Sequence, residues 1–166
     1  MKSTRHVKII LILLIIIGNI GCDQVSKKII RENIIPNQTV HLLSSQLTVT
    51  NVENSGAFLS LGDSLHGTIK NILLTLFPFI AIMLGLIYVI TKRNLSTPML
   101  AGFCFIIGGG IGNLFDRMVY GSVTDFLHID FGIFHTGIFN MADLSIMIGI
   151  FIIFLQSFLR RNVSTS

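Results

Sequence analysis

Apolar residues gather in four long runs along this chain, at about 7–22, 69–91, 98–118 and 138–159, and polar residues return between them. A helix needs about 20 apolar residues to span a bilayer core, with about 17 to 25 the common range. The second and fourth runs meet that length. The first meets it once it continues past Asp23 to about residue 28, which its pattern permits. The third is long enough but ends on Asn113, Asp116 and Arg117. Open strands cannot satisfy their backbone in lipid, so all four runs are predicted as helices. The expected fold class is mostly α and integral to the membrane. Four transmembrane helices, at about 7–28, 69–91, 98–118 and 138–159, form a single membrane domain over 1–166 with outward loops at about 29–68 and 119–137.

Between the first two runs the period changes. Leu47 and Val49 alternate with Thr48 and Thr50, the signature of a half-buried strand. Pro36-Asn37 marks a break, so Thr39–Leu43 and Gln46–Val52 are predicted as short strands joined by a turn at Ser44-Ser45. A small extracytoplasmic β-sheet lying on the membrane surface follows. The amino terminus also imitates a lipoprotein signal: a basic start, an apolar run and then Ile20-Gly21-Cys22. Asn19 stands where such signals usually carry Leu, and three spans follow, so a retained helix is the preferred reading.

Composition fits. Of 166 residues, 51% are hydrophobic and 12% charged, and the mean hydropathy is +0.78. Too few charges remain to cover a soluble domain of this size. Trp is absent, so the usual Trp belt is missing. Cys22 and Cys104 both lie in or beside apolar runs, which argues against a disulfide framework. The net charge of +4 does not signal nucleic acid, because its placement matters more. Lys2, Arg5, Lys8, Lys92, Arg93, Arg160 and Arg161 fall on one side, and all 8 acidic residues fall on the other or at its boundary. The positive-inside rule then puts both termini in the cytoplasm, although Lys27, Lys28 and Arg31 weaken the count.

Polar residues near a membrane carry the chemical information, since a charge at a span's centre costs about 2.5–3.5 kcal/mol on insertion scales. Asp23 and Lys27, four apart, can pair on one helix face, and an interfacial ion pair ending the first helix explains them. Asn54-Ser55-Gly56 has turn character. Gly108 and Gly112 have the spacing that lets helices approach closely. Asn113, Asp116 and Arg117 share a face, and an Asp-Arg pair capping a helix end explains two of them. Asp143, about one turn inside the last helix with Asn140 three residues earlier, is harder to dismiss, because an acid there needs a reason. Asp125 has apolar neighbours and no basic residue nearby, and taken alone it is an ordinary loop acid.

Under this topology both acids reach the outer interface. Two close carboxyls do not both ionise easily, so the pair supplies a general base and a general acid together. No Ser-His-Asp or Cys-His set competes, and His6, His41, His66, His128 and His135 lack metal-ligand spacing, with His128 expected in a loop. No metal or other cofactor is expected. Two further classes remain open: a proton-coupled transporter or channel, against which the lack of repeated halves speaks, and a scaffold held together by its polar residues.

Five motifs in order resemble the bacterial lipoprotein signal peptidases, or signal peptidase II, over nearly the whole chain. They are Asp23-Gln24-x-x-Lys27, Asn54-x-Gly56-Ala57, Gly108-Gly109-x-x-Gly112-Asn113-x-x-Asp116-Arg117, Val123-x-Asp125-Phe126 and Phe139-Asn140-x-Ala142-Asp143. The resemblance implies an aspartic peptidase of the bacterial inner membrane that cuts prolipoproteins just before a diacylglyceryl-modified cysteine. It implies Asp125 and Asp143 as catalytic and Asn54, Asn113, Arg117 and Asn140 as pocket residues. Asp23 and Lys27 would shape the site, Asp116 would support it, and Gly56 and Ala142 stand within its motifs. The implied partners are diacylglyceryl-modified prolipoproteins and membrane lipids, with no nucleic acid, and the expected state is a monomer. Two departures touch substrate preference: Gly56 is followed by Ala57-Phe58-Leu59, where the family usually has Ala-Ala-Phe, and His135-Thr136-Gly137-Ile138 replaces a usual Phe-Pro element.

Overall fold

The computed structural model describes residues 2–42, 46–56, 67–92 and 94–163. The proposed Ser44-Ser45 turn, Leu43, Ala57-Phe58-Leu59, Asp63, His66 and Arg93 lie outside the described residues, as do the side chains of residues 2–6 and 161–163. Four helices are long and apolar enough to cross a membrane. The first, α1 (Lys2–Asn33), runs well past Cys22, which is exposed on its surface. The second, α2 (Gly67–Thr91), contains a π-helical turn at Ile72–Leu76 just ahead of Pro78. Proline has no N–H to give and its ring crowds the preceding turn, and a widened turn accommodates both. The third, α3 (Thr97–Tyr120), ends on Gly121, whose φ of 78° is a left-handed cap. The fourth, α4 (Met141–Val163), starts three residues later than its apolar run suggests, because Asn140 caps it rather than joining it.

Helix α3 is the hub, packed against α1 and α4. Its buried face is glycine-rich for a steric reason. A Cβ on Gly109 would run into the carbonyl oxygen of Ala142, and one on Gly112 would come 2.5 Å from Asp23 Oδ2. The small-residue stripe therefore does more than let two helices touch: it brings α1 and α4 to the same stretch of α3. A compact apolar cluster of Ile12, Ile16, Val89, Leu100, Cys104 and Ile107 fills the other end of the bundle. Leu14, Ile17, Phe77, Leu84, Phe151 and Phe154 stand exposed on α1, α2 and α4, as lipid-facing surfaces require.

The sheet has three antiparallel strands in the order β1-β2-β3: β1 (Thr39–Leu42), β2 (Leu47–Asn54) and β3 (Val123–Ile129). The first two fall where the alternation puts them. The third lies in the expected outward loop, and it carries Asp125 and His128, so both are strand residues. The register makes the sheet amphipathic. Val40–Val49–Leu127 and Leu42–Leu47–Ile129 form two apolar rows, and His41–Thr48–His128 forms a polar row on the opposite face. A register shift between Val49 and Val52 bends β2 as it approaches the helices and brings Val52 opposite Asp125.

Candidate active site

The polar residues of α1, α3, β2, β3 and α4 converge where the sheet meets the bundle. Asp23, Lys27 and Arg31 recur every fourth residue and so line one face of α1. The Lys27 ammonium, completely buried, lies 2.8 Å from Asp23 Oδ2 and 2.9 Å from Asp116 Oδ2, and it donates to Asn113 Oδ1 at 3.0 Å. All three donors of the ammonium are thus used. The expected interfacial pair ending the first helix is instead a fully buried triad inside it, because α1 continues to Asn33 and α3 supplies a second acid. Asp116 likewise does not pair with Arg117. It takes Lys27, Arg31 Nη2 at 3.2 Å and Gln24 Nε2 at 3.1 Å.

Asp143 sits in the first turn of α4 and forms a reciprocal cap with Asn140. The Asp143 N–H donates to Asn140 Oδ1 at 2.9 Å, and the Asn140 N–H donates to Asp143 Oδ2 at 3.3 Å. A third free N–H of that turn, from Ala142, donates to Asp23 Oδ1 at 2.9 Å. Asp23 thereby ties the Lys27 triad to the end of α4, and Ala142, fully buried, is held there by its backbone. Asn113 Nδ2 completes the grip on Asp143 with a bond of 2.7 Å to Oδ1.

Asp125 arrives from β3 and is almost completely buried. Asn140 Nδ2 donates to its Oδ1 at 2.6 Å, and Asn54 Nδ2 to its Oδ2 at 2.8 Å. The same Asn140 Nδ2 also reaches Asn113 Oδ1 at 3.1 Å. One asparagine therefore touches both acids, through its side chain on Asp125 and its backbone on Asp143. Burial pushes the Asp125 carboxyl up to about 6; the negative charge of Asp143 adds to the rise, and the bonds from Asn54 and Asn140 oppose it. Gly56 N donates to Asn54 Oδ1 at 2.9 Å, which fixes the amide's orientation. Arg117 Nη2 donates to the Gly56 carbonyl at 3.0 Å, its charge acts on Asp143, Asp125 and Asp116, and its buried Nε–H has no partner among the described residues.

The residues singled out from the sequence as catalytic or supporting thus enter one connected network: Asp23, Lys27, Asn54, Gly56, Asn113, Asp116, Arg117, Asp125, Asn140, Ala142 and Asp143. Sequence reasoning missed Arg31, Thr124 and Glu53. Arg31 Nε donates to Thr124 Oγ1 at 2.7 Å, Thr124 donates to Glu53 Oε1 at 2.7 Å, and the guanidinium lies 4.0 Å over the Tyr120 ring. The four-residue step from Lys27 to Arg31 is the one signal that could have flagged it.

Comparisons with known proteins identify the family and the fold. The family described as Signal peptidase (SPase) II matches residues 11–159. A lipoprotein signal peptidase of Wigglesworthia glossinidia brevipalpis is 34% identical, over 84% of this chain and 89% of its own. That of Shewanella sediminis is 36% identical, over 82% and 77%. A solved bacterial membrane enzyme superposes with a TM-score of 0.74 at 25% identity, covering 88% of this chain and 91% of its own. A second superposes with a TM-score of 0.80 at 24% identity over 94% and 91%, a likeness of fold. The chain belongs to the signal peptidase II family.

Proposed function

We propose that the chain hydrolyses the peptide bond preceding the diacylglyceryl-modified cysteine of prolipoproteins, using Asp125 and Asp143 as an acid–base pair. Membership of the family supports a lipoprotein signal peptidase. The observation that carries the dyad is the shared clamp: Asn140 bonds both carboxyls, and neither acid has a salt bridge among the described residues. Two adjacent acids in such a setting share one proton, so one is base and the other acid.

The chemistry follows. The ionised carboxylate takes a proton from water as its oxygen attacks the scissile carbonyl carbon, and the protonated partner gives its proton to the carbonyl oxygen. On collapse of the tetrahedral diol, the first acid returns its proton to the leaving amine. The C–N bond breaks, and a diol hydroxyl reprotonates the second acid. Asn54 and Asn113 orient the two carboxyls, and the free Nε–H of Arg117 donates to a substrate carbonyl. Asp23, Lys27 and Asp116 hold α1, α3 and α4 in register beneath the pair. The enzyme is a monomeric single domain of the bacterial inner membrane, with both termini cytoplasmic and the dyad near the outer face; the basic residues of the flanks support that orientation.

Asp125→Asn and Asp143→Asn should each lower turnover of a lipidated prolipoprotein in detergent by about 10³-fold or more while the protein still folds and inserts. Signal-peptide release by either variant at near wild-type rate would remove the dyad. Equal cleavage of lipidated and unmodified prolipoprotein would remove the lipid requirement.

A further inference from the structure

Beyond β3 the chain makes a tight reversal before returning to α4. The Phe131 N–H donates to the Phe134 carbonyl at 2.8 Å, Gly132 has a φ of 81° that suits only glycine, and its N–H donates to Asp130 Oδ1 at 2.7 Å. Behind the turn, Thr136 N and Oγ1 bond the Ile129 backbone, and the Phe139 N–H donates to the Leu127 carbonyl at 2.9 Å. The hairpin is therefore fixed, and its tip presents Phe131, Ile133 and Phe134 at 61%, 103% and 65% exposure. Holding three large apolar side chains in water forgoes the stabilisation that burial would bring to each. A fixed turn that displays them has a partner.

We propose that this tip is an interfacial anchor that enters the lipid leaflet on the side where the dyad sits. Three observations choose lipid over a protein or a second copy. The hairpin is rooted at that membrane face at both ends: only two residues separate the end of α3 from β3, and Asn140 opens α4. The apolar rows of the sheet, Val40–Val49–Leu127 and Leu42–Leu47–Ile129, continue toward the tip, and Ile129 immediately precedes Asp130 and the turn. No Lys or Arg occurs between Met118 and Leu159, and the acid beside the tip, Asp130, is turned back onto the Gly132 N–H, so the tip presents apolar side chains rather than a charge to a partner. Because the returning strand bonds Phe126 and Leu127 through Phe139, the anchor also fixes the height of Asp125 above the bilayer. The assignment does not depend on which reaction the dyad performs.

The chain contains no Trp, so a single substitution gives an uncontaminated reporter. Phe134→Trp and, separately, Ile133→Trp are reconstituted in phosphatidylcholine vesicles with bromine at shallow acyl positions, and Thr39→Trp on the polar sheet edge serves as control. Both tip reporters should emit to the blue of the control and be quenched by the bromolipid much more strongly. Quenching no stronger than that of Thr39→Trp overturns the anchor. A blue-shifted emission that bromolipid leaves untouched and dilution reverses also overturns it, since the tip would then be covered by a second copy.

Discussion

Two groups of acids lie one asparagine apart in this molecule and are held in opposite ways. Asp23 and Asp116 are neutralised by cations, with Lys27 at under 3 Å from both and Arg31 beside Asp116. Asp125 and Asp143 are held by amides: Asn54, Asn113 and both faces of Asn140. Direct ion pairs from Lys27 and Arg31 tie acids of two different helices together, so the first group is suited to fastening helices. An amide orients a carboxyl without closing it in an ion pair, which suits the second group to the acid–base role proposed for it. Asn113 joins the groups, accepting from Lys27 and donating to Asp143, which makes the fastening part of the geometry of the proposed dyad.

Removing the cation is the hardest test of that division. Lys27→Met leaves Asp23 and Asp116 buried with Arg31 alone, and an uncompensated buried charge costs about 3–5 kcal/mol. Thermal unfolding in detergent should show a loss of that order, with activity lost alongside. Adding Asp23→Asn to Lys27→Met should recover part of the stability. A Lys27→Met protein as stable as wild type would mean that charge does not hold the bundle.

The amide-held acid predicts a smaller effect of opposite character. Asp125 has its carboxyl raised from an ordinary 3.8 to about 6 in the fold. Between those values the folded state holds more protons than the unfolded state, so the contribution is fully present below about 4 and is lost as pH rises through 6. With about 1.36 kcal/mol per pH unit, the decline amounts to at most about 3 kcal/mol. Denaturant unfolding across this window should show wild type losing stability as pH rises and Asp125→Asn lacking that slope. An equal slope in both proteins would place the titration elsewhere.

How much of this was legible in the sequence follows the same division. The spans were readable because lipid leaves few alternatives to a long apolar helix, and α2 begins and ends within two residues of its apolar run. The triad was half readable: i, i+4 spacing paired Asp23 with Lys27, but nothing local says that Asp116 closes the set, so the pair looked interfacial rather than buried. Strand β3 was invisible because Val123–Ile129 pairs with β2 across 69 to 82 residues, from Asn54↔Val123 to Leu47↔Ile129, and its mixed pattern lacks clean alternation. Asp125 therefore looked like a loop acid. Asn140 looked helical because the apolar run extends through it, although Asn followed three residues later by an acid is a capping signature.

Arg31 gives the finest test, because it belongs to the fastening group and touches the strand that carries Asp125. Its Nη2 meets Asp116, and its Nε holds Thr124, the residue before Asp125. Its side chain is about one-fifth exposed, so water screens part of the ion pair, and a cost of about 1 kcal/mol is expected for Arg31→Met. The kinetic consequence should exceed that figure's structural share. Freed from Nε, Thr124 keeps Glu53 but loses its tie to α1, so Asp125 can drift from Asn140, and small misplacements cost rate. Turnover should fall several-fold at unchanged KM. Arg31→Lys separates the two contacts, since an ammonium can restore the charge beside Asp116 but lacks the planar fork that reaches Thr124 at the same time. Stability should return in Arg31→Lys while kcat stays low; full recovery of both would reduce Arg31 to a charge and leave the alignment of Asp125 to Asn54 and Asn140 alone.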